Sequence, residues 1–321
     1  MVLVEFFGLL VVIVGAAWLL SVGAEILAEK YGANFTGSVL LALITTLPEY
    51  LFVFWAATKM QYDMAIGSAV GACTLLVTLG YGSVILVSTT RLSRKPVETI
   101  HLSKHTQIDA LYLVVTAVIA FILAWEGGGL DVKDGIILAA VFMIYVVQHY
   151  IAARRHSINV EHSVTAAQMK KAVLMMIAGG IVIFLAAERF VDSMLEIAHW
   201  IGVSPMAVAI ILSPIASELP EKMTAYMTVM RDGKLAEISI CNFMGSKVNH
   251  NSLLLALLPF VAAWKGHGHV DGIIGAPYIM MTVLTMFAGI SLARRRLERW
   301  QGWVFLLLYL TMVVAAYMVR K

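Results

Sequence analysis

The chain has 321 residues, of which 60% are hydrophobic and only 13% are charged. Soluble domains carry about 25% charged residues, so this composition excludes an ordinary water-soluble protein and indicates an integral membrane protein. The net charge of +3 is small and the basic residues lie in short, scattered segments, which excludes a nucleic-acid-binding surface. The two cysteines both lie within apolar segments, so no disulfide framework is expected.

Apolar runs bounded by polar clusters follow one another along the whole chain. A helix needs roughly 20 apolar residues to cross a bilayer, and these runs lack the alternating pattern of barrel strands. The first run is too long for the core of a signal peptide, so we expect it to be retained. The sequence therefore predicts an all-α membrane protein of about ten transmembrane helices, over residues 2–27, 35–59, 63–88, 107–125, 132–153, 169–195, 203–229, 235–262, 271–293 and 300–319.

The basic residues alternate between successive loops. One side of the predicted membrane protein collects 15 of them, the other side collects five, and Arg189, Lys222 and Lys247 fall inside helices. The positive-inside rule places the richer side in the cytoplasm. We therefore expect a multi-pass protein of the plasma (inner) membrane with both termini outside.

The chain also contains an internal repeat. Pro48-Glu49 in the second helix recurs as Pro220-Glu221 in the seventh, and the spacing to Ser68 and Asn242 is 19 and 21 residues. Because each half would hold five helices, the second half must insert in the opposite direction, as in many secondary transporters. This pattern predicts a first repeat over 1–153, a cytoplasmic linker over 154–168 and an inverted repeat over 169–321.

The two Pro-Glu dipeptides are the first candidates for function. Each proline removes a helix hydrogen bond and frees the carbonyl four residues earlier. Hydroxyl groups lie in the same turns, and together these oxygens suit a hard cation such as Ca²⁺ or Na⁺. The alternative is a simple kink with each glutamate bonded to a neighbour, but two carboxylates at matching depths favour an ion site. The candidate ligands are Glu49, Thr45 and Thr46 in one half and Glu221 and Ser217 in the other.

The third and eighth helices are the predicted opposing walls of this site. Their small residues, among them Ser68 and Ser246, permit close backbone approach. Asn242 is the better ligand candidate because of its place in the repeat. The polar run 249–251 is interpreted instead as hydrogen bonding between helices.

The segments TTLPE, SELPE and CNFMGSK, in this order and spacing, resemble the alpha repeats of the cation/calcium exchanger superfamily. The superfamily includes sodium/calcium and proton/calcium antiporters. The resemblance implies a ten-helix fold in which helices 2, 3, 7 and 8 enclose the cation site, and helices 1 and 6 slide to alternate access. It also implies that Glu49 and Glu221 are the paired acidic ligands, with Thr45, Thr46 and Ser217 beside them.

Several residues depart from the superfamily pattern Gly-Asn-x-x-Gly-Ser-Asn (or Asp). Ser68 and Cys73 replace amides in the first half, Lys247 replaces a ligand in the second, and Glu218 stands where a small hydroxyl residue is usual. A lysine at this depth must be paired or neutral. Lys247 would then act as a tethered cation paired with Glu218 or Glu221. The alternative is that Glu218 pairs with Lys222, four residues away on the same helix.

The charges constrain what the site carries. Glu49, Glu218 and Glu221 supply three negative charges and Lys247 offsets one, so a net charge near −2 suits one divalent cation or exchanged protons. We therefore expect a secondary antiporter, not an enzyme, that exchanges Ca²⁺ for Na⁺ or H⁺. Its partners are the lipid bilayer and inorganic cations, without cofactor, nucleotide or nucleic acid, and no P-loop motif occurs. The alternatives are an antiporter for another monovalent or divalent cation, and a transport-inactive receptor or scaffold of the same fold.

Two further acidic residues occupy matching places in the halves. Glu25 ends the first helix and Glu188 lies in the sixth, where they could form a gate or an access path. Arg189 and Asp192 follow Glu188 closely, so a local ion pair is the simpler interpretation there.

Overall fold

The computed structural model describes residues 2–31, 42–156 and 165–318. These residues form ten helical rods joined by short connections, and the predicted all-α architecture is confirmed. In chain order the rods are α1 (Val2–Tyr31), α2 (Ala42–Thr45 and Leu47–Thr58), α3 (Tyr62–Leu75, Leu76–Gly80 and Tyr81–Thr89), α4 (Lys104–Glu126), α5 (Val132–His156), α6 (Ala166–Ile201), α7 (Pro205–Arg231), α8 (Ala236–Asn249, His250–Leu254 and Leu255–Trp264), α9 (Ala276–Ala293) and α10 (Arg299–Met318).

Six of the described helices are long and apolar enough to cross a membrane: Val2–Ala24, Tyr62–Thr89, Lys104–Glu126, Val132–Ile151, Ala166–Ile201 and Ala276–Ala293. The rods α2, α7, α8 and α10 do not meet that criterion, and the apolar part of α10, Arg299–Val314, is only slightly too short. Interruptions shorten the continuous helices of α2 and α8, and α7 carries three charged side chains within two turns. Three of these four rods, α2, α7 and α8, are among those that the sequence predicts around the ion site.

Four three-residue strands connect the ends of the rods: β1 (Thr99–His101), β2 (Gly129–Asp131), β3 (His269–Asp271) and β4 (Arg296–Glu298). β1 pairs antiparallel with β4, and β2 pairs antiparallel with β3. Ile100 lies opposite Leu297 in the first pair, and all four central strand residues are buried. Strands of this length leave no recognisable pattern in the sequence, so they were not predicted.

The corner between α6 and α7 fixes where the site helix α7 begins. Gly202 ends α6 with φ +68°, a conformation that glycine adopts without steric cost. Ser204 then caps α7 by accepting a hydrogen bond from the Ala207 backbone N–H, and Pro205 occupies the first turn, where no N–H is needed.

The rod α3 lies in the centre of the molecule, and its residues 64–75 are all buried. It approaches α7 closely, because a Cβ atom at Gly67 or Gly71 would overlap the backbone of Met206 or Ile210. Small residues are what allow two membrane helices to touch backbone to backbone. The backbones of α3 and α7 are therefore in direct contact along this stretch.

Two π turns interrupt α3 and α8 at corresponding places. They begin at Leu76 and His250, and the offset between these residues, 174 positions, equals the offset between Ser68 and Asn242. Single π turns in α-helices are frequent at functional sites. This agreement supports the internal repeat, while the boundaries 1–153, 154–168 and 169–321 stay a proposal. Within that linker, residues 157–164 lie outside the described part of the chain.

Candidate cation site

Three glutamates lie in the buried centre of the protein, between α2, α7 and α8. Glu49 on α2 and Glu218 on α7 are each 1% exposed, and Glu221, one turn further along α7, is 5% exposed. A buried carboxylate is costly unless hydrogen bonds, a counter-charge or a bound proton compensates it. The surroundings of each glutamate therefore decide what this region can bind.

Thr45, Glu221, Asn242 and Ser246 form a hydrogen-bonded group that we call the Glu221 pocket. The Asn242 amide donates to Oε1 of Glu221 at 2.9 Å, and the Ser246 hydroxyl donates to the same oxygen at 3.1 Å. The Thr45 hydroxyl lies 3.5 Å from Oε2. Neutral donors from two neighbouring rods thus surround both carboxylate oxygens, and the sequence predicted all four members.

Glu49, Glu218 and His250 form a second group that we call the His250 cluster. One ligand atom from each lies within 4.8 Å of the others, and all three side chains are buried. His250 is the first residue of the π turn in α8, and its Nε2 lies 4.0 Å from Oε1 of Glu218. Ser217 lies beside Glu49. Two carboxylates and an imidazole are a set of groups that can bind a proton or a metal ion.

Two lysines lie close to these carboxylates. Lys222 Nζ is 3.2 Å from Oε2 of Glu218, so the structure contains the pair within α7 that the sequence allowed as an alternative. Among the described residues, no carboxylate oxygen lies within 4.0 Å of Lys247 Nζ, which faces the thiol of Cys73. With every one of these groups ionised, three glutamates and two lysines give a net charge of −1.

Two other candidate ligands, Thr46 and Ser68, form hydrogen bonds at contacts between helices. Thr46 donates to the Ala42 carbonyl at 2.9 Å and accepts from the Asn249 amide at 2.7 Å. Ser68 shares a hydrogen bond of 2.5 Å with Ser213. Neither hydroxyl is hydrogen-bonded to a carboxylate among the described residues. Both lie at helix contacts, Thr46 between α2 and α8 and Ser68 between α3 and α7.

Glu188, one of the two predicted gate residues, forms an ion pair away from the three buried glutamates. Glu25 belongs to α1, but its side chain is outside the described residues. Lys59, at the end of α2, bridges Glu188 at 3.2 Å and Asp192 at 2.7 Å on α6. The expected partner of Asp192 was Arg189, and the structure joins Asp192 and Glu188 to Lys59 instead. Partial burial alone would lower the pKa of Lys59, but its hydrogen bonds to Asp192 and Glu188 outweigh that effect and raise the pKa.

His250 was predicted only as part of a polar run that forms hydrogen bonds between helices, and not as a ligand. A signal was present, because His250 follows Ser246 by four residues and so shares its helix face. Ser213 was missed as well, although it lies four residues before Ser217 on α7. Tyr50, which donates to the Asn249 amide oxygen, adjoins Glu49 in sequence.

Comparison with known proteins places this geometry in a family. The sequence matches the family model described as "Sodium/calcium exchanger protein" over residues 1–150 and 171–318. It is 25% identical to an uncharacterized membrane protein of Methanocaldococcus jannaschii over 311 residues, 96% of this chain and 95% of that protein. It is also 25% identical to the inner membrane protein YrbG of Escherichia coli over 264 residues, 78% of this chain and 76% of YrbG.

Solved structures show the same fold. A structure of the sodium-calcium exchanger NCX_Mj aligns with a TM-score of 0.71 at 22% identity, covering 98% of this chain and 99% of the exchanger. A crystal structure of the H⁺/Ca²⁺ exchanger CAX aligns with a TM-score of 0.79 at 18% identity, covering 99% of this chain and 86% of the exchanger. The predicted multi-pass membrane fold and the predicted superfamily are confirmed.

Proposed function

Because the chain belongs to the sodium/calcium exchanger protein family, we propose that it is a secondary antiporter that exchanges a divalent cation for Na⁺ or H⁺. One observation carries the proposal. Three buried carboxylates from α2 and α7 lie together, within reach of hydroxyl, amide and imidazole groups. Ca²⁺ is the first cation to test, since the two solved relatives are named as exchangers of Ca²⁺.

The proposed ion path runs between α2, α3, α7 and α8. Glu221 binds the cation or a proton in the Glu221 pocket, and Glu49 and Glu218 supply the second part of the site. Hydroxyl and amide groups complete the coordination as the ion replaces their present hydrogen bonds. The full proposed set is Glu49, Glu221, Thr45, Thr46, Ser217, Glu218, Ser68, Asn242 and Ser246, with Lys247 as a fixed positive charge.

Access to this site is proposed to alternate through sliding of α1 and α6. These two rods pack along each other through glycines, since a Cβ at Gly23 or Gly179 would lie 2.7 Å or 2.6 Å from a carbonyl of the facing helix. A contact without protruding side chains offers little resistance to sliding. Glu25 and Glu188, on these two rods, are the proposed gate.

Charge balance favours protons as one coupling ion. The net charge of −1 holds when all three carboxylates are ionised. With one carboxylate protonated the net charge is 0, and a divalent cation that displaces this proton raises it to +1 instead of +2. Proteoliposomes with a pH gradient and no Na⁺ test this directly. We expect cation uptake to follow the pH gradient, whereas strict dependence on Na⁺ with no proton flux would exclude H⁺ coupling.

The decisive experiment for transport replaces Glu221 by glutamine. Glu221→Gln keeps the shape and one acceptor oxygen for Asn242 and Ser246 but removes the charge, so we expect uptake of Ca²⁺ into proteoliposomes to fall at least 100-fold under either gradient. Glu196→Gln is the matched control, because Glu196 is an exposed carboxylate on α6. Undiminished transport in Glu221→Gln would refute the site, and no transport of any cation by the wild-type protein would leave only a receptor or scaffold.

The proposed location is the inner membrane, with the basic-rich loops in the cytoplasm and both termini outside. The likeness to the inner membrane protein YrbG agrees with that location. Single cysteines introduced at Lys133 and Lys265 should react with impermeant reagents added to intact cells, and a cysteine at Lys234 should not.

A further inference from the structure

The His250 cluster contains four buried polar atoms without a hydrogen-bond partner among the described residues. They are Oε2 of Glu49, Oε1 of Glu218 and both ring nitrogens of His250. Their side chains are at most 1% exposed. Native proteins satisfy most buried polar atoms, and clustered exceptions call for a ligand or a proton. Here one ligand atom from each of three residues, on three different rods, lies within 4.8 Å of the others.

The spacing of these atoms fits a shared cation better than a direct contact. The separation of 4.0 Å between His250 Nε2 and Glu218 Oε1 is too long for a hydrogen bond. Two metal–ligand bonds of about 2.0–2.2 Å, at the tetrahedral angle that Zn²⁺ prefers, hold their ligand atoms about 3.3–3.6 Å apart. A single ion would therefore bind both atoms once they approach each other by roughly half an ångström.

The donor types distinguish among divalent cations. Ca²⁺ and Mg²⁺ take oxygen ligands almost exclusively, whereas imidazole nitrogen suits Zn²⁺ and its neighbours in the transition series. The Glu221 pocket offers oxygen atoms to a cation, but the His250 cluster adds nitrogen. We propose that the His250 cluster binds a divalent transition-series cation, such as Zn²⁺, Co²⁺ or Mn²⁺, as cargo of the exchanger. The assignment of this ion as cargo rests on the proposed function, and its binding does not.

The neighbouring lysine makes such binding reversible. Lys222 occupies Oε2 of Glu218 and leaves Oε1 free. A carboxylate shared between a lysine and a metal ion binds the metal less tightly than one devoted to it. Three protein ligands also leave coordination positions open, as in sites that exchange what they bind. A transported ion needs this combination, because it must leave the site in every cycle.

Co²⁺ is the probe for the test, since its visible absorption reports nitrogen ligation. The protein is first freed of surface histidines near Asp63 and Asp271 by His267→Asn and His269→Asn, which removes an alternative binding place. In this background we expect Co²⁺ to raise the thermal unfolding midpoint and to give an absorption band in the visible range. Introducing His250→Asn should weaken Co²⁺ binding at least tenfold and change the response to Ca²⁺ much less, because Ca²⁺ takes oxygen ligands.

A second variant tests the same cluster independently, in case His250→Asn fails to fold. Glu49→Gln should weaken Co²⁺ binding to a similar degree, while the exposed control Glu196→Gln should not. Equal Co²⁺ binding in the background protein and both cluster variants, or none in the background, would overturn the proposal. Co²⁺ binding that depends on His250 in a protein that transports no cation would refute the antiporter instead. Transport of Ca²⁺ without Co²⁺ binding would retain the antiporter and refute the metal site.

Discussion

The Glu221 pocket and the His250 cluster lie one turn apart on α7, but they differ in whether their polar atoms have hydrogen-bond partners. In the Glu221 pocket, neutral donors from α2 and α8 reach both oxygens of the carboxylate. In the His250 cluster, the atoms that face one another lack partners, and two lysines stand nearby. Hydrogen bonds that hold the first group also stabilise the fold, whereas the second group destabilises it until a proton or cation binds. The two groups should therefore respond differently to the same kinds of substitution.

The largest expected effect comes from breaking the ion pair beside the His250 cluster. Lys222→Met removes the partner of Glu218 at 3.2 Å in a fully buried position. Loss of one member of a buried pair costs about 3–5 kcal/mol, because the other charge stays buried and unpaired. We expect the unfolding midpoint in detergent to fall markedly, and added Co²⁺ to restore most of the loss, since both oxygens of Glu218 can then bind the metal.

The matched control removes both charges. Lys222→Met combined with Glu218→Gln should recover much of the stability and lose the rescue by Co²⁺, because no charge is left unpaired and one metal ligand is gone. Rescue by Co²⁺ in the double variant would show that the metal binds somewhere other than the cluster.

A smaller effect is expected from the Glu221 pocket. Asn242→Ala deletes the donor 2.9 Å from Glu221, while the hydroxyls of Ser246 and Thr45 stay in place. A hydrogen bond to a charged group contributes about 1.5–3 kcal/mol, and the surviving donors compensate part of its loss. We expect the apparent affinity for Ca²⁺ in transport to fall roughly tenfold, which corresponds to about 1.4 kcal/mol.

Ser239→Ala is the control for that variant. It also deletes a buried hydrogen bond on α8, the one to the Ala225 carbonyl, but Ser239 is not in the proposed cation-binding set. Its effect should appear in stability and not in the affinity for Ca²⁺. If Asn242→Ala weakened Co²⁺ binding as much as Ca²⁺ transport, the Glu221 pocket and the His250 cluster would form one site, and the distinction between them would be wrong.

The difference between the two groups also explains how far the sequence could predict them. Every member of the Glu221 pocket was predicted, because repeats and short helical spacings place these residues without knowledge of the fold. The His250 cluster was harder to predict, because the four-residue spacing from Ser246 to His250 does not show that α2 and α7 bring Glu49 and Glu218 beside this histidine. The ten rods were predictable from apolar runs alone. The three-residue strands were not, because their partners lie far apart in sequence.

The ion pairs also show that local spacing in the sequence predicts local contacts and not contacts between distant helices. The pair of Glu218 and Lys222 follows from a spacing of four residues, and the sequence offered it as one of two alternatives. The bridge from Lys59 to Glu188 and Asp192 joins rods that are more than a hundred residues apart. No local pattern predicts such a contact, and a local partner for Asp192 was therefore expected in its place.

The smallest expected effect concerns this bridge, and it should fall equally on both groups of α7. Lys59 is partly exposed, and exposed ion pairs contribute about 0–1 kcal/mol, so Lys59→Met should change the turnover of transport up to roughly fivefold without changing which cation is preferred. The bridge raises the pKa of Lys59 above its ordinary 10.5, so its contribution is present at lower pH and is lost only as the pH rises through the raised value. The ratio of wild-type to variant turnover should thus stay constant between about pH 6 and pH 9. Lys133→Met, which changes another basic residue predicted on the same side of the membrane, is the control. A change in the preference between Ca²⁺ and Co²⁺ would contradict a purely mechanical role for the bridge and would link it to one group of α7 rather than to both.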